Sequence, residues 1–323
     1  MFKKYPSFLP VVILTAISLA GILGMFFYYQ PSKELLQAAN NSAVLVSAAR
    51  FASSLDGKPV STKAEASSRV VGVMVDNHPN ASPESGVAKA KIVYEAPVEG
   101  GLTRYLAIFD SKQNVAEVGP VRSARPYFLD WLQEYGGALY LHSGGSPEAL
   151  SAIKSRSIFS ANEFFFGNYY QRSKDRQAPH NLYVNGENWR KIFDKYGGKK
   201  ELFAANKAWK YAKLVGKTMA NKGELKIPFS ENYKVTWTYD AKKLDYARYV
   251  NGKPEVDKAE PRTDSRSGSG AGDGAVVRAR NILVQITEVK EINGDDKGRV
   301  EITTIGSGDA IILKKGSVTY GTW

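Results

Sequence analysis

The chain has 323 residues, 44 Lys+Arg against 32 Asp+Glu for a formal net charge of +12, 43% hydrophobic residues and no cysteine. This composition excludes a collagen-like repeat and wholesale disorder. The missing thiols exclude a disulfide framework, a thiolate metal site, a cysteine nucleophile and a cysteine-borne lipid.

The first element is Phe8 to Tyr29, an uncharged run, FLPVVILTAISLAGILGMFFYY. As a helix it extends about 33 Å at about 1.5 Å per residue, enough for a bilayer core. Lys3 and Lys4 precede it and favour a cytoplasmic N-terminus. Residues 1–30 are therefore expected to form a transmembrane signal anchor, with the bulk of the chain extracytoplasmic. A cleaved signal peptide is the alternative, with Ser18-Leu19-Ala20 at the cut, but the chain stays apolar beyond it. An extracytoplasmic location argues against a nucleic-acid partner. It leaves cell-wall polymers, anionic lipid headgroups and envelope proteins.

Residues 31–68 read as a juxtamembrane stalk and linker. Residues 69–222 alternate strand and helix signals and predict an α/β (or α+β) domain. Strands are expected at Val70–Val75, Lys91–Val98, Arg104–Phe109 and Ala138–His142, and helices at Pro126–Tyr135, Pro147–Lys154 and Glu187–Tyr196. Residues 223–323 lose the helical pattern and predict a small, mainly antiparallel β domain, with Ser265–Gly274 as a Gly/Ser-rich loop. Its strands are expected at Tyr233–Tyr239, Tyr246–Val250, Asn281–Val289, Arg299–Ile305, Ala310–Leu313 and Val318–Tyr320.

Charge is uneven along the chain. Residues 69–222 carry 22 basic and 14 acidic residues, a net of +8. This middle segment also concentrates polar residues at predicted strand ends, where ligands settle in α/β sheets. Asp76, Asn77 and His78 close the first strand, Glu95 and Glu99 bracket the end of the second, and Arg104 opens the third. Arg122 and Arg125 enter a helix and could clamp a carboxylate or phosphate; ordinary ion pairs with Glu95 or Glu99 are the alternative. Glu95 and Glu99 could serve as an acid/base pair on a glycan or peptide bond, or simply bridge to Arg104. His142 stands before Ser143-Gly144-Gly145-Ser146, and His180 and Asn181 sit in another loop. His142 and His180 are the candidate proton carriers, and Ser146 and Asn181 candidate ligand contacts, Ser146 being also a reasonable N-cap before Pro147. Three histidines could meet on zinc, but no HExxH spacing supports it, and no GxSxG elbow supports a serine triad. No metal or cofactor is expected.

VMVDNHPNASPESG (73–86), IVYEAPVEGGLTRYLAIF (92–109), VGPVRSARPYFLDWLQEYGGALYLHSGGSPEAL (118–150) and RQAPHNLY (176–183) together resemble the YerB-like family of bacterial lipoproteins. The resemblance continues in KIPFSENYKVTWTYD (226–240), YVNGKPEVD (249–257) and ARNILVQI (279–286), and Ser53-Ser54-Leu55-Asp56-Gly57 is similar to the family's entry motif. It implies a domain of unknown function with a C-terminal companion, exposed outside the membrane, and supplies no catalytic residues. Three departures stand out. The family's lipid-bearing cysteine is absent, and a transmembrane anchor is expected in its place. Residues 81–86 differ from the usual Ala-Arg-Pro-Gln-Ser-Gly form, so a basic contact there is lost. The sequence stops at Gly321-Thr322-Trp323, where family members usually continue through another β segment, so a shortened C-terminal domain or an incomplete sequence is expected.

Binding of an anionic envelope component or a wall-assembly partner is the leading expectation. An envelope hydrolase is the alternative, with Glu95 or Glu99 as acid/base, His142 or His180 as proton carrier, and Arg122 and Arg125 as clamps.

Overall fold

A computed structural model describes residues 51–67, 69–197, 223–259 and 274–323. Ala52–Lys58 and Lys63–Trp323 belong to one structural unit. The expected transmembrane helix, most of the stalk, the Lys-rich stretch 199–217 and nearly all of the Gly/Ser loop lie outside the described residues.

The middle segment is built on five strands. β1 (Val70–Asp76), β2 (Ile92–Pro97), β3 (Thr103–Asp110), β4 (Leu139–His142) and β5 (Ser160–Asn162) form one sheet in the order β2-β3-β1-β4-β5. The β2-β3 and β3-β1 pairs are antiparallel, and β1-β4 and β4-β5 are parallel. All seven residues of β1 are buried, as a central strand covered on both faces requires. Val71, Val73, Val75, Tyr105, Ala107, Phe109, Leu139 and Leu141 face one core with Trp189, Ile192 and Phe193 of α3 (Gly186–Tyr196). Met74, Leu106, Ile108 and Tyr140 face the other, with Phe128, Leu129 and Leu132 of α1 (Pro126–Gln133) and Ala149 of α2 (Pro147–Ser155). The period of two along each strand produces this division.

The C-terminal segment is antiparallel throughout its described pairings. β6 (Glu224–Pro228), β7 (Lys234–Asp240) and β8 (Asp245–Val250) pair in sequence. β9 (Asn281–Gln285), β10 (Asp309–Lys314) and β11 (Ser317–Thr322) form a second sheet in the order β9-β10-β11. The strand expected over Asn281–Val289 is divided. It ends at Gln285, and its last expected residue, Val289, opens a separate strand, Val289–Glu291, that pairs with Val300–Ile302.

The fold class needs correction. The described chain is mainly β, and its longest helix, α3, has 11 residues. The middle segment is organised around an antiparallel core, β2-β3-β1, rather than around strands that alternate regularly with helices. Strand–helix alternation in sequence misled because Ile92–Asp110 is a direct antiparallel pair, joined by the short turn at Glu99–Gly101. The transmembrane helix has no support: among the described residues no helix is long and apolar enough to cross a membrane.

Candidate functional site

Strand direction gathers the polar segments. β2, β1, β4 and β5 all end on one edge of the sheet, and antiparallel β3 begins there. Asp76, Ala96, Thr103, Arg104, His142 and Asn162 mark that edge. Arg122 reaches it on a segment fixed by backbone bonds. Val118 N–H donates to Val184 O at 2.7 Å, Val121 N–H to Leu182 O at 2.6 Å, Asp76 N–H to Pro120 O at 2.8 Å and Arg122 N–H to Met74 O at 2.9 Å. Gly119 has φ +152°, and a Cβ there would stand 2.6 Å from Leu182 O, so only glycine permits this approach.

Four polar groups occupy this end of the molecule. In the first, the buried Asp76 carboxylate accepts from His180 Nδ1 at 2.8 Å and from His78 N–H at 3.2 Å. It also pairs with Arg122, whose Nε is 3.1 Å from Oδ2. The His78 and His180 rings stack at 4.7 Å. Burial, then the neighbouring His180 and Arg122, push the His78 imidazole below its usual range, with Asp76 opposing.

In the second group, Glu99 takes two arginines. Arg125 Nε donates to Glu99 Oε2 at 3.1 Å, a second Arg125 nitrogen contacts Oε1, and Arg104 lies 3.4 Å from Oε1. Burial works to raise the Glu99 carboxyl; Arg104 and Arg125 outweigh it and hold it below the usual carboxylate range. Arg104 also donates to Ser123 O at 2.7 Å, and Arg125 to Ala124 O at 2.8 Å.

The third group joins the two segments. Asn77 Nδ2 donates to Thr103 Oγ1 at 2.7 Å and to Tyr233 Oη at 2.5 Å, and Thr103 donates to Glu95 Oε1 at 2.7 Å. Arg248 of β8 donates to Glu95 at 2.6 Å and pairs with Glu255, which also accepts from Tyr105 Oη at 3.0 Å. Nearby, Asp257 accepts from Gly86 N–H at 2.8 Å and Ala88 N–H at 2.7 Å.

The fourth is His142, which is 1% exposed. Its Nδ1–H donates to Gly144 O and its Nε2 accepts from Ser160 Oγ, both at 2.7 Å. Burial pushes its pKa down to about 4. Ser146 caps α2 by accepting from Ala149 N–H at 3.2 Å. Asn181 closes its own loop on Ser173 O and Arg176 O and accepts from Arg172 at 2.9 Å.

Glu95 and His142 do not share a site. Glu95 pairs across to Tyr105, and Tyr105 to Val75, which puts β2 three strands from β4, about 14 Å. Glu95 lies on the Tyr105 face, whereas His142 stacks on Tyr140 of the opposite face. Glu95 and Glu99 are instead each engaged by arginine.

A cleft of about 350 Å³ opens beside the first group. Arg122, Arg172, Ser123, Ser143, Gly144-Gly145 and Phe164 line it, with Ala178 and Pro179 next to His180. Phe164 is 71% exposed and Phe165 84%. Sequence reasoning missed Arg172, Arg248, Glu255, Tyr233 and Glu84. Arg248 carried a signal, a charge flanked by Tyr246-Ala247 and Tyr249-Val250 inside a strand pattern. Glu84 carried one as well, since it stands where the usual form of residues 81–86 has Gln, and it is buried here.

Together these features define a two-segment β-rich protein, with polar loops at one sheet edge and a buried ionic seam between segments. The chain belongs to the family described as Protein of unknown function (DUF3048): residues 55–199 match its N-terminal domain and 225–323 its C-terminal domain. It is 33% identical over 260 residues to the Bacillus subtilis (strain 168) protein named "Putative lipoprotein YerB", covering 79% of this chain and 72% of that one. The crystal structure of YerB protein from Bacillus subtilis matches with a TM-score of 0.69 at 29% identity, over 85% of this chain and 87% of that chain.

Proposed function

We propose that the protein is a membrane-associated extracytoplasmic envelope protein that binds an anionic envelope component, a cell-wall polymer in the first instance, in the cleft beside Arg122. The relative's name as a lipoprotein supports the location. The observation that carries the binding reading is the cleft itself. It combines two guanidiniums, two serine hydroxyls, a glycine loop and an exposed phenylalanine face. Guanidinium forks suit carboxylate or phosphate, and an aromatic face suits the apolar side of a sugar ring.

The basic excess supports the same reading from another place. Residues 69–198 carry 15 basic and 13 acidic residues, so +6 of the +8 falls in residues 199–222. Long-range attraction then belongs to that stretch, and short-range selection to the cleft.

Co-sedimentation of the full chain with purified cell wall, and separately with acidic vesicles, tests the proposal. Retention on wall that weakens with salt, and falls about tenfold in Arg122→Ala, is expected. Retention on vesicles alone assigns the lipid surface instead. No salt-sensitive retention on either sinks the reading.

A further inference from the structure

We propose that Asp76, His180 and His78 form a proton-transfer centre, in which Nε2 of His180 accepts a proton from a water or hydroxyl beside the anion held by Arg122. Only the placement of that anion rests on the cleft reading; the centre itself stands on its own geometry.

The tautomers follow from the hydrogen bonds. A carboxylate only accepts, so the 2.8 Å bond from His180 to Asp76 places the proton on His180 Nδ1. That leaves Nε2 with its lone pair free, and no described residue donates to it. His78 is the complement: its Nδ1 accepts from Asn80 N–H at 3.0 Å, so its neutral ring carries the proton on Nε2. The two rings are stacked at 4.7 Å and 22°. One therefore presents an acceptor and the other a donor on adjacent planes.

Support beneath the pair is stiff. Asp76 ends the fully buried β1, and its second oxygen is held by His78 N–H. His180 follows Pro179, and its own N–H donates to Gln177 O at 3.0 Å. Arg122 joins the centre to the cleft, since it lines the cleft and lies 3.1 Å from Asp76. Ala178 and Pro179 line the same wall.

The chemistry is a single balanced step. An O–H bond breaks, its electron pair stays on oxygen, and the proton passes to His180 Nε2. The imidazolium so formed faces the Asp76 carboxylate. The oxygen is left as a nucleophile next to an anion-binding guanidinium, the arrangement of a general base. Asp76 acts through His180 and is a positioning residue.

Nitrogen NMR of the full chain with ¹⁵N-labelled histidine reads the tautomers directly. Neutral His180 is expected to carry its proton on Nδ1 and His78 on Nε2; the reverse at His180 overturns the proposal. Carbethoxylation by diethyl pyrocarbonate, followed residue by residue by mass spectrometry, reads reactivity. His180 is expected to react fastest of the three histidines, His142 to be inert, and Asp76→Ala to slow His180 about tenfold. Equal rates at His180 with and without Asp76 overturn the positioning role, and the tautomer of the unaltered protein decides the case if that variant does not fold. Inorganic phosphate serves as the probe anion. Protection of His180 that disappears in Arg122→Ala supports the link to the cleft. Absence of protection while the tautomers hold overturns the cleft reading and leaves the centre standing.

Discussion

Two buried titratable residues, Glu84 and His142, carry large and opposed shifts. Glu84 is 2% exposed, and neither carboxyl oxygen has a hydrogen-bond partner among the described residues. Burial pushes its pKa up to about 7 from an ordinary value near 4.5. The unfolded chain then binds fewer protons than the folded one above pH 4.5, so Glu84 costs stability as pH rises from 4.5 to 7. His142 acts in the opposite sense. Its folded pKa of about 4 lies below the ordinary 6.5, so its contribution is complete above 6.5 and is lost as pH falls to 4. Each shift corresponds to about 3 kcal/mol, and the two offset one another across the same window. Glu84→Gln should therefore unmask His142: thermal melts between pH 4 and 7 should show stability rising by about 3 kcal/mol, with the variant more stable than the parent at neutral pH. An unchanged profile would refute the account of Glu84.

Loops and caps decide the element scale. Ser146, expected as an N-cap as well as a ligand contact, accepts from Ala149 N–H and starts α2. Ser146→Ala should cost about 1 kcal/mol in urea unfolding, with wall retention unchanged. Gly119 has a sharper role. Its φ of +152° and the 2.6 Å approach of Leu182 O leave no room for a methyl group. Gly119→Ala should move the Val118–Val121 segment off Leu182 and Val184 and take Arg122 with it. Both a lowered melting temperature and weaker wall retention are expected, whereas Ser146→Ala changes only the first.

At the scale of the whole unit, Arg248 holds the two segments together. It comes from β8, yet it engages Glu95 of β2 and pairs with Glu255, while lying over the Tyr105 and Trp237 rings. Removing one member of a buried pair strands its partners. Arg248→Ala leaves Glu95 and Glu255 uncompensated and should cost about 3–5 kcal/mol. Arg248→Met combined with Glu95→Gln and Glu255→Gln should recover much of that loss, because no charge is then left buried alone. Chemical denaturation of the two variants separates a seam that needs its charges from one that needs only filling.

Periodicity and composition carried the local reading a long way. Val70–Val75 and Arg104–Phe109 declared themselves as strands because β-branched and apolar residues must leave water together, and Gly136-Gly137, both at positive φ, marked a helix end by their backbone freedom. The family was legible from its motifs, and the density of polar residues at strand ends pointed to the sheet edge that holds Asp76, Arg122 and His180. Pairing was not legible, because hydrogen-bond partners in a sheet are distant in sequence. Only the tertiary structure placed Ile92–Asp110 as an antiparallel pair, divided the 281–289 run between two partners, and put Glu95 and His142 on opposite faces. It alone brought Arg248 and Glu255 to Glu95, since an ion pair forms by proximity and not by spacing along the chain. The net charge shows the same division. Sequence determined its total and its concentration in 199–222, and the fold determined that Glu95 and Glu99 are held by arginines, while Arg122 keeps a face on the cleft.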